Sequence, residues 1–207
     1  MKCKQWSSPL LWLSFTILGI ALFASFGPAE KSLGSNVRLV YLHGAWVWAA
    51  LIALAAAAGS GLVGLLTRLN TWHAWSHALG KTGLFFWVTY LPISLWAMQT
   101  NWNGLFLSEP RWRMAVIFSI TGLLLQIGLS LIRRPTWTSL ANLIFFGVLV
   151  FVLQSTDQVL HPPSPILTSE SLNIQIYFIC LVALTLMAAW QVARSWRCWE
   201  QRALETR

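Results

Sequence analysis

Residues 37–66 read VRLVYLHGAWVWAALIALAAAAGSGLVGLL, a stretch in which only Arg38 and His43 can carry charge. A helix rises about 1.5 Å per residue, so roughly 20 apolar residues cross a hydrocarbon core of about 30 Å with every backbone group bonded internally. The stretch is long enough to do so. Five further apolar runs flank it, at approximately 10–27, 79–98, 114–132, 140–153 and 172–193, the fifth span (140–153) being the shortest. The predicted fold class is all-α: a polytopic bundle of about six transmembrane helices forming one domain over residues 1–207.

Composition points the same way. With 57% hydrophobic and 10% charged residues, and a mean hydropathy of +0.62, the chain has too little polar surface to coat a water-soluble globule. The lipid bilayer is therefore its first partner. A second reading exists for the first run, because Lys2 and Lys4 precede an apolar stretch ending near Ala24-Ser25-Phe26, as in a cleaved signal peptide. A retained helix is expected, since the run exceeds a usual signal core.

Cytoplasmic loops collect positive charge. An inside N-terminus puts Lys2, Lys4, Arg68, Lys81, Arg133, Arg134, Arg194, Arg197, Arg202 and Arg207 in the cytoplasm, and leaves Lys31, Arg38, Arg111 and Arg113 outside. Both termini are then cytoplasmic, and the expected location is a bacterial or organellar inner membrane. The net charge of +8 follows from that topology, so no nucleic-acid partner is needed to explain it. Turn signals separate the runs: Gly27-Pro28, Glu109-Pro110, Arg134-Pro135, and Pro162, Pro163 and Pro165. The two long outer loops are 99–113 and 154–171.

Small residues from Ala53 to Gly64 suit close helix packing. Many of the 14 tryptophans flank the spans as interfacial belts do, among them Trp6, Trp12, Trp72, Trp75, Trp137, Trp190, Trp196 and Trp199.

The chemistry rests on four histidines. His43 lies within a span close to its outer end, where an ionisable residue is costly unless it is used. Two readings stand: a haem or metal ligand, or a hydrogen-bonded structural histidine. Gly44 and Ala45 leave room for a flat ring, and Trp46 and Trp48 offer aromatic faces. His73 and His77 share a face if their segment is helical, but two ligands with no nearby Cys, Asp or Glu make a poor metal site. His161 lies on the same membrane side as His43, as a partner ligand or a loop histidine. Cys3, Cys180 and Cys198 form no CxxCH, which excludes covalent haem.

Pro28-Ala29-Glu30, a short spacer, then Arg38-Leu-Val-Tyr-Leu-His43 and Ala45-Trp46 resemble the second helix of cytochrome c assembly proteins of the CcmC and CcsA type. In those haem-handling membrane proteins a histidine here is an axial ligand near the outer surface. The family's outer loop reads roughly Trp-Gly-x-x-Trp-x-Trp-Asp-x-Arg. This chain has Trp102-Asn-Gly-Leu-Phe-Leu-Ser-Glu109-Pro-Arg111-Trp112, with Glu for Asp and with Leu105 to Ser108 in place of the interior tryptophans. Leu160-His161 matches a later family pair, whereas Val148 to Leu153, where a second histidine is expected, contains Phe151 instead.

The resemblance implies haem b ligated by His43, with His161 as a further ligand, Trp46, Trp102, Phe106 and Trp112 against the ring, and Arg38 or Arg111 on a propionate. With one ligand and the interior tryptophans absent, the expected function is a non-catalytic accessory or scaffold subunit of a respiratory or photosynthetic membrane complex, with other membrane subunits as partners. The alternative is a haem-handling factor in cytochrome c maturation. No bond-forming residue is visible, so an enzyme is not expected. A transporter ranks third, because the spans hold no buried Asp, Glu or Lys to couple ions.

Overall fold

A computed structural model describes residues 9–156 and 166–205. Six helices run in order: α1 Pro9–Ser25, α2 Val37–Thr67, α3 Asn70–Trp102, α4 Pro110–Ile132, α5 Pro135–Ser155 and α6 Leu172–Glu205. No strand occurs among the described residues, only an isolated bridge between Glu30 and Gly34. The chain is an all-α membrane bundle. Helices α2, α4, α5 and α6 are each long and apolar enough to cross a bilayer. At 17 residues, α1 sits at the lower limit for spanning.

The third helix begins at Asn70, well before the expected 79, so the segment taken for a connection is mostly helix. Its polar residues hide this from a hydropathy reading because they bury against other helices rather than lipid. His73 Nδ1 lies 2.7 Å from Ser139 Oγ. Asn142 Nδ2 donates to the Ser76 carbonyl at 2.9 Å and to its hydroxyl at 3.1 Å. Gln126 Nε2 donates to Asn142 Oδ1 at 3.2 Å. In lipid such interhelical bonds contribute about 0.6 kcal/mol on average, reaching about 1.7.

Tight turns join α2 to α3 and α4 to α5. Arg68 and Arg133 take left-handed conformations (φ 58° and 54°), and their N–H groups close back on Gly64 O and Leu129 O. Both turns lie at one end of the bundle, called here the basic end. The last turns of α6 reach that end as well, where His77 Nδ1 and Lys81 Nζ meet the same Glu200 oxygen at 2.9 and 3.0 Å. Trp75 stacks on Trp190 beside them, with centroids 5.1 Å apart.

Helices α2 and α3 pack antiparallel along their whole length. Asn101 Nδ2 donates to Asn36 O at one end. Midway, a Cβ on Gly83 would lie 2.6 Å from Leu54 Cγ, and near the basic end one on Gly64 would lie 2.9 Å from His73 Nδ1. This register sets Ser94 opposite His43. Small residues on α2, Ala45, Ala49, Ala53, Ala57 and Gly61, recur every fourth position and are all buried, winding from α6, where Ala45 O accepts from Thr185, to α5, where Gly61 abuts Ser139.

At the other end, the turn after α1 is organised by Glu30. Its carboxylate accepts from the Ser32 hydroxyl and from the backbone N–H groups of Ser32 and Leu33. Those bonds favour the charged form and hold its pKa below the usual carboxylate value.

Candidate functional site

The site lies at the end of the bundle away from the tight basic turns. On α3, Trp87, Tyr90, Ser94, Met98 and Trp102 recur at three- and four-residue spacing and so fall on one face. All five line a cavity of about 210 Å³. His43 lines it from α2, with its ring edge-on to Tyr90 at 5.5 Å. Tyr90 in turn meets Trp87 edge-on at 5.2 Å, and the Trp87 indole N–H donates to Ala115 O at 3.2 Å. A chain of rings thus connects α2 through α3 to α4.

The loop before α4 and the start of that helix form a further wall of the cavity. Glu109 caps that helix by accepting from Trp112 N at 2.7 Å, and Pro110 follows at the first helical position. The cap turns Glu109, Arg111 and Trp112 into the cavity wall. An acidic and a basic side chain therefore stand together beside a largely aromatic and aliphatic lining. Glu109 is 9% exposed.

Of the residues singled out from the sequence, His43, Gly44, Trp48, Trp102, Arg111 and Trp112 line this cavity. Three others do not line it. Trp46 turns toward the far flank of α3, where its indole N–H donates to Thr89 Oγ1 at 2.9 Å and its ring tilts against Phe86 at 4.9 Å. Arg38 Nε donates to Gly27 O at 2.9 Å, tying the start of α2 to the end of α1. Phe106 sits 38% exposed in the loop, and its carbonyl accepts from Glu109 N. His161 lies outside the described residues.

Phe151 points away from the bundle and is 70% exposed. The α5 residue on the cavity wall is Leu153, so even a histidine at 151 would face lipid. His73 and His77 are drawn apart, the first to Ser139 and the second to Glu200. Among the described residues no three His, Cys, Asp or Glu side chains group as a metal site.

No family model, no curated protein and no solved structure matches the chain. Its function must be argued from the cavity itself. The sequence reading missed Trp87, Tyr90, Met98 and Met114 as lining residues. The stripe on α3 was visible as a helical repeat, but nothing in the sequence said that it faces a cavity rather than a neighbouring helix.

The residues suit a tetrapyrrole. An imidazole supplies a nitrogen donor, aromatic walls flank it, and a guanidinium matches a carboxylate bidentately. Pockets that enclose drug-sized ligands run from about 300 to 1,000 Å³. At about 210 Å³ this one is smaller than that range.

Proposed function

We propose that the chain is a haem-binding membrane protein, similar to the CcmC and CcsA type, that holds a b-type haem through His43 near the outer face. The observation that carries this is the convergence of His43, Trp102, Arg111 and Trp112, on three different segments, upon one cavity. Bound there, haem would provide a one-electron centre within the bundle. The chain's own part is to offer the His43 imidazole, to flank the ring with Trp87, Tyr90 and Trp102, and to place Arg111 where a carboxylate can pair with it.

The role we favour is an accessory or scaffold subunit of a respiratory or photosynthetic membrane complex. The exposed apolar flanks of α4 and α5, including Ile117, Leu124 and Ile144, leave broad surfaces for lateral assembly or lipid. A cytochrome c maturation factor is the second reading, favoured by Trp102, Arg111 and Trp112 standing beside the mouth. The purified wild-type protein, titrated with haemin, should develop a Soret band at one haem per chain; a flat titration rejects haem binding. Complementation of a strain lacking its haem-handling protein separates the two roles. Restored covalent haem in c-type cytochromes would favour maturation and sink the scaffold reading.

The basic end belongs to the cytoplasm in this proposal, because Arg68, Arg133, Arg134, Arg194 and Arg197 gather there while Lys31, Arg38, Arg111 and Arg113 lie toward the other end. Reporter fusions at the two termini should both report the cytoplasm. An outside signal from either one contradicts it.

A further inference from the structure

A groove of about 530 Å³ runs between α4 and α5 and shares no lining residue with the His43 cavity. Ile117, Thr121 and Leu125 line it from α4 at four-residue spacing, and Trp137, Ala141, Ile144 and Val148 line it from α5. Phe118 and Phe145 meet edge-on at 5.6 Å across its floor. The rim is open, with Ile117, Ile144 and Val148 all exposed.

The groove has a direction. Trp137 stands beside the turn 133–134, at the start of α5, and Val148 stands well along that helix. Between them α5 rises about 16 Å, close to half of a hydrocarbon core of about 30 Å. The apolar channel therefore starts at the basic end and stops near mid-membrane, the depth of one lipid leaflet.

At its foot lie Arg133 and Arg134, both exposed and in no ion pair among the described residues. Glu200, a carboxylate at the same end, is already held by His77 and Lys81. Trp137, 53% exposed, adds an amphipathic ring of the kind that sits at headgroup level. A guanidinium pairs with phosphate bidentately. A partner helix is the weaker match, because helices in lipid approach closely over small residues, and of the groove's lining only Thr121 and Ala141 are small. A flexible acyl chain can fill a channel walled mainly by isoleucine, leucine, phenylalanine and valine.

We propose that the α4–α5 groove binds one anionic phospholipid, with an acyl chain along the channel and the phosphate headgroup on Arg133 and Arg134. The site stands apart from the His43 cavity and does not depend on whether haem is bound there.

The test is native mass spectrometry of the full-length protein in mild detergent, offered dioleoyl phosphatidylglycerol or dioleoyl phosphatidylcholine. Wild type should retain one phosphatidylglycerol per chain and shed phosphatidylcholine. Arg133→Asn combined with Arg134→Gln should weaken phosphatidylglycerol binding about 25-fold, roughly fivefold for each guanidinium removed. Asparagine tolerates the left-handed conformation at 133 (φ 54°). Arg68→Asn removes a charge from the other tight turn, on the Ser139 side of α5, and should leave binding unchanged. Ala141→Trp, which fills the channel, should abolish retention with both arginines in place, and glycerol phosphate should not displace the lipid. Equal retention of the two lipids overturns the proposal, as does a loss in Arg68→Asn matching that of the pair, the mark of diffuse attraction to the whole basic end. Displacement by glycerol phosphate also overturns it, in favour of a soluble phosphate, and a dimer that Ala141→Trp breaks apart does so in favour of a second copy of the chain. If Ala141→Trp fails to fold, the arginine pair and the comparison of the two lipids still decide.

Discussion

Gly61→Leu is expected to cost the bundle about 2 kcal/mol. A Cβ at this position would lie 2.9 Å from Ser139 O, 3.2 Å from Ser139 Cα and 3.0 Å from Ser76 Oγ. The serine hydroxyl can rotate away, but the other two atoms are α5 backbone and can yield only if the helix moves. Helix propensity pulls the other way, since leucine is favoured over glycine by roughly 1 kcal/mol. Overpacking a well-packed interface costs about 1–3 kcal/mol, and contact with backbone puts this site at the upper end. The clash therefore wins. Gly59, two residues earlier, has nothing within 4 Å of its would-be Cβ, so Gly59→Leu should be neutral or mildly stabilising. Thermal unfolding of both detergent-solubilised variants checks the contrast. Equal midpoints would show that α2 and α5 are not as close as described.

His43→Ala should lower haem affinity by at least about 100-fold while leaving the fold intact. Disturbing groups that merely orient a metal ligand costs about 10–100-fold in affinity, and removing the donor itself should exceed that. Stability should change little, because His43 is only partly buried. Imidazole added to the variant should recover part of the Soret intensity, since the truncation leaves space for it beside Tyr90. A variant binding haemin as tightly as wild type would remove His43 from the site.

The sequence made the helices readable, because an uninterrupted apolar run has few other uses. It also marked His43, a lone imidazole inside such a run. Side-chain direction was far less legible, for a reason particular to lipid. Helices in water bury an apolar face and expose a polar one, so their periodicity reports orientation. Here both faces are apolar, and Phe151, exposed, reads no differently from Leu149, fully buried. Trp46 and Arg38 do not line the cavity on the same account: each sits near His43 in sequence, but helix rotation carries one to Thr89 and the other to Gly27. The early start of α3 was hidden by the opposite effect, polar residues satisfied by other helices. Glu109 was noticed for its chemical type, yet its geometry comes from capping α4, which no motif states.

The turns at the basic end are two residues each, 68–69 and 133–134, and each begins with a residue already in a left-handed conformation. Such connections have no slack, and an inserted residue would have to be absorbed by twisting or sliding a whole helix against its neighbours. The opposite end is joined by the longer segments 26–36, 103–109 and 156–171. Evolutionary change in length, and any tag or epitope placed by an engineer within the chain, is thereby channelled to the cavity side of the molecule.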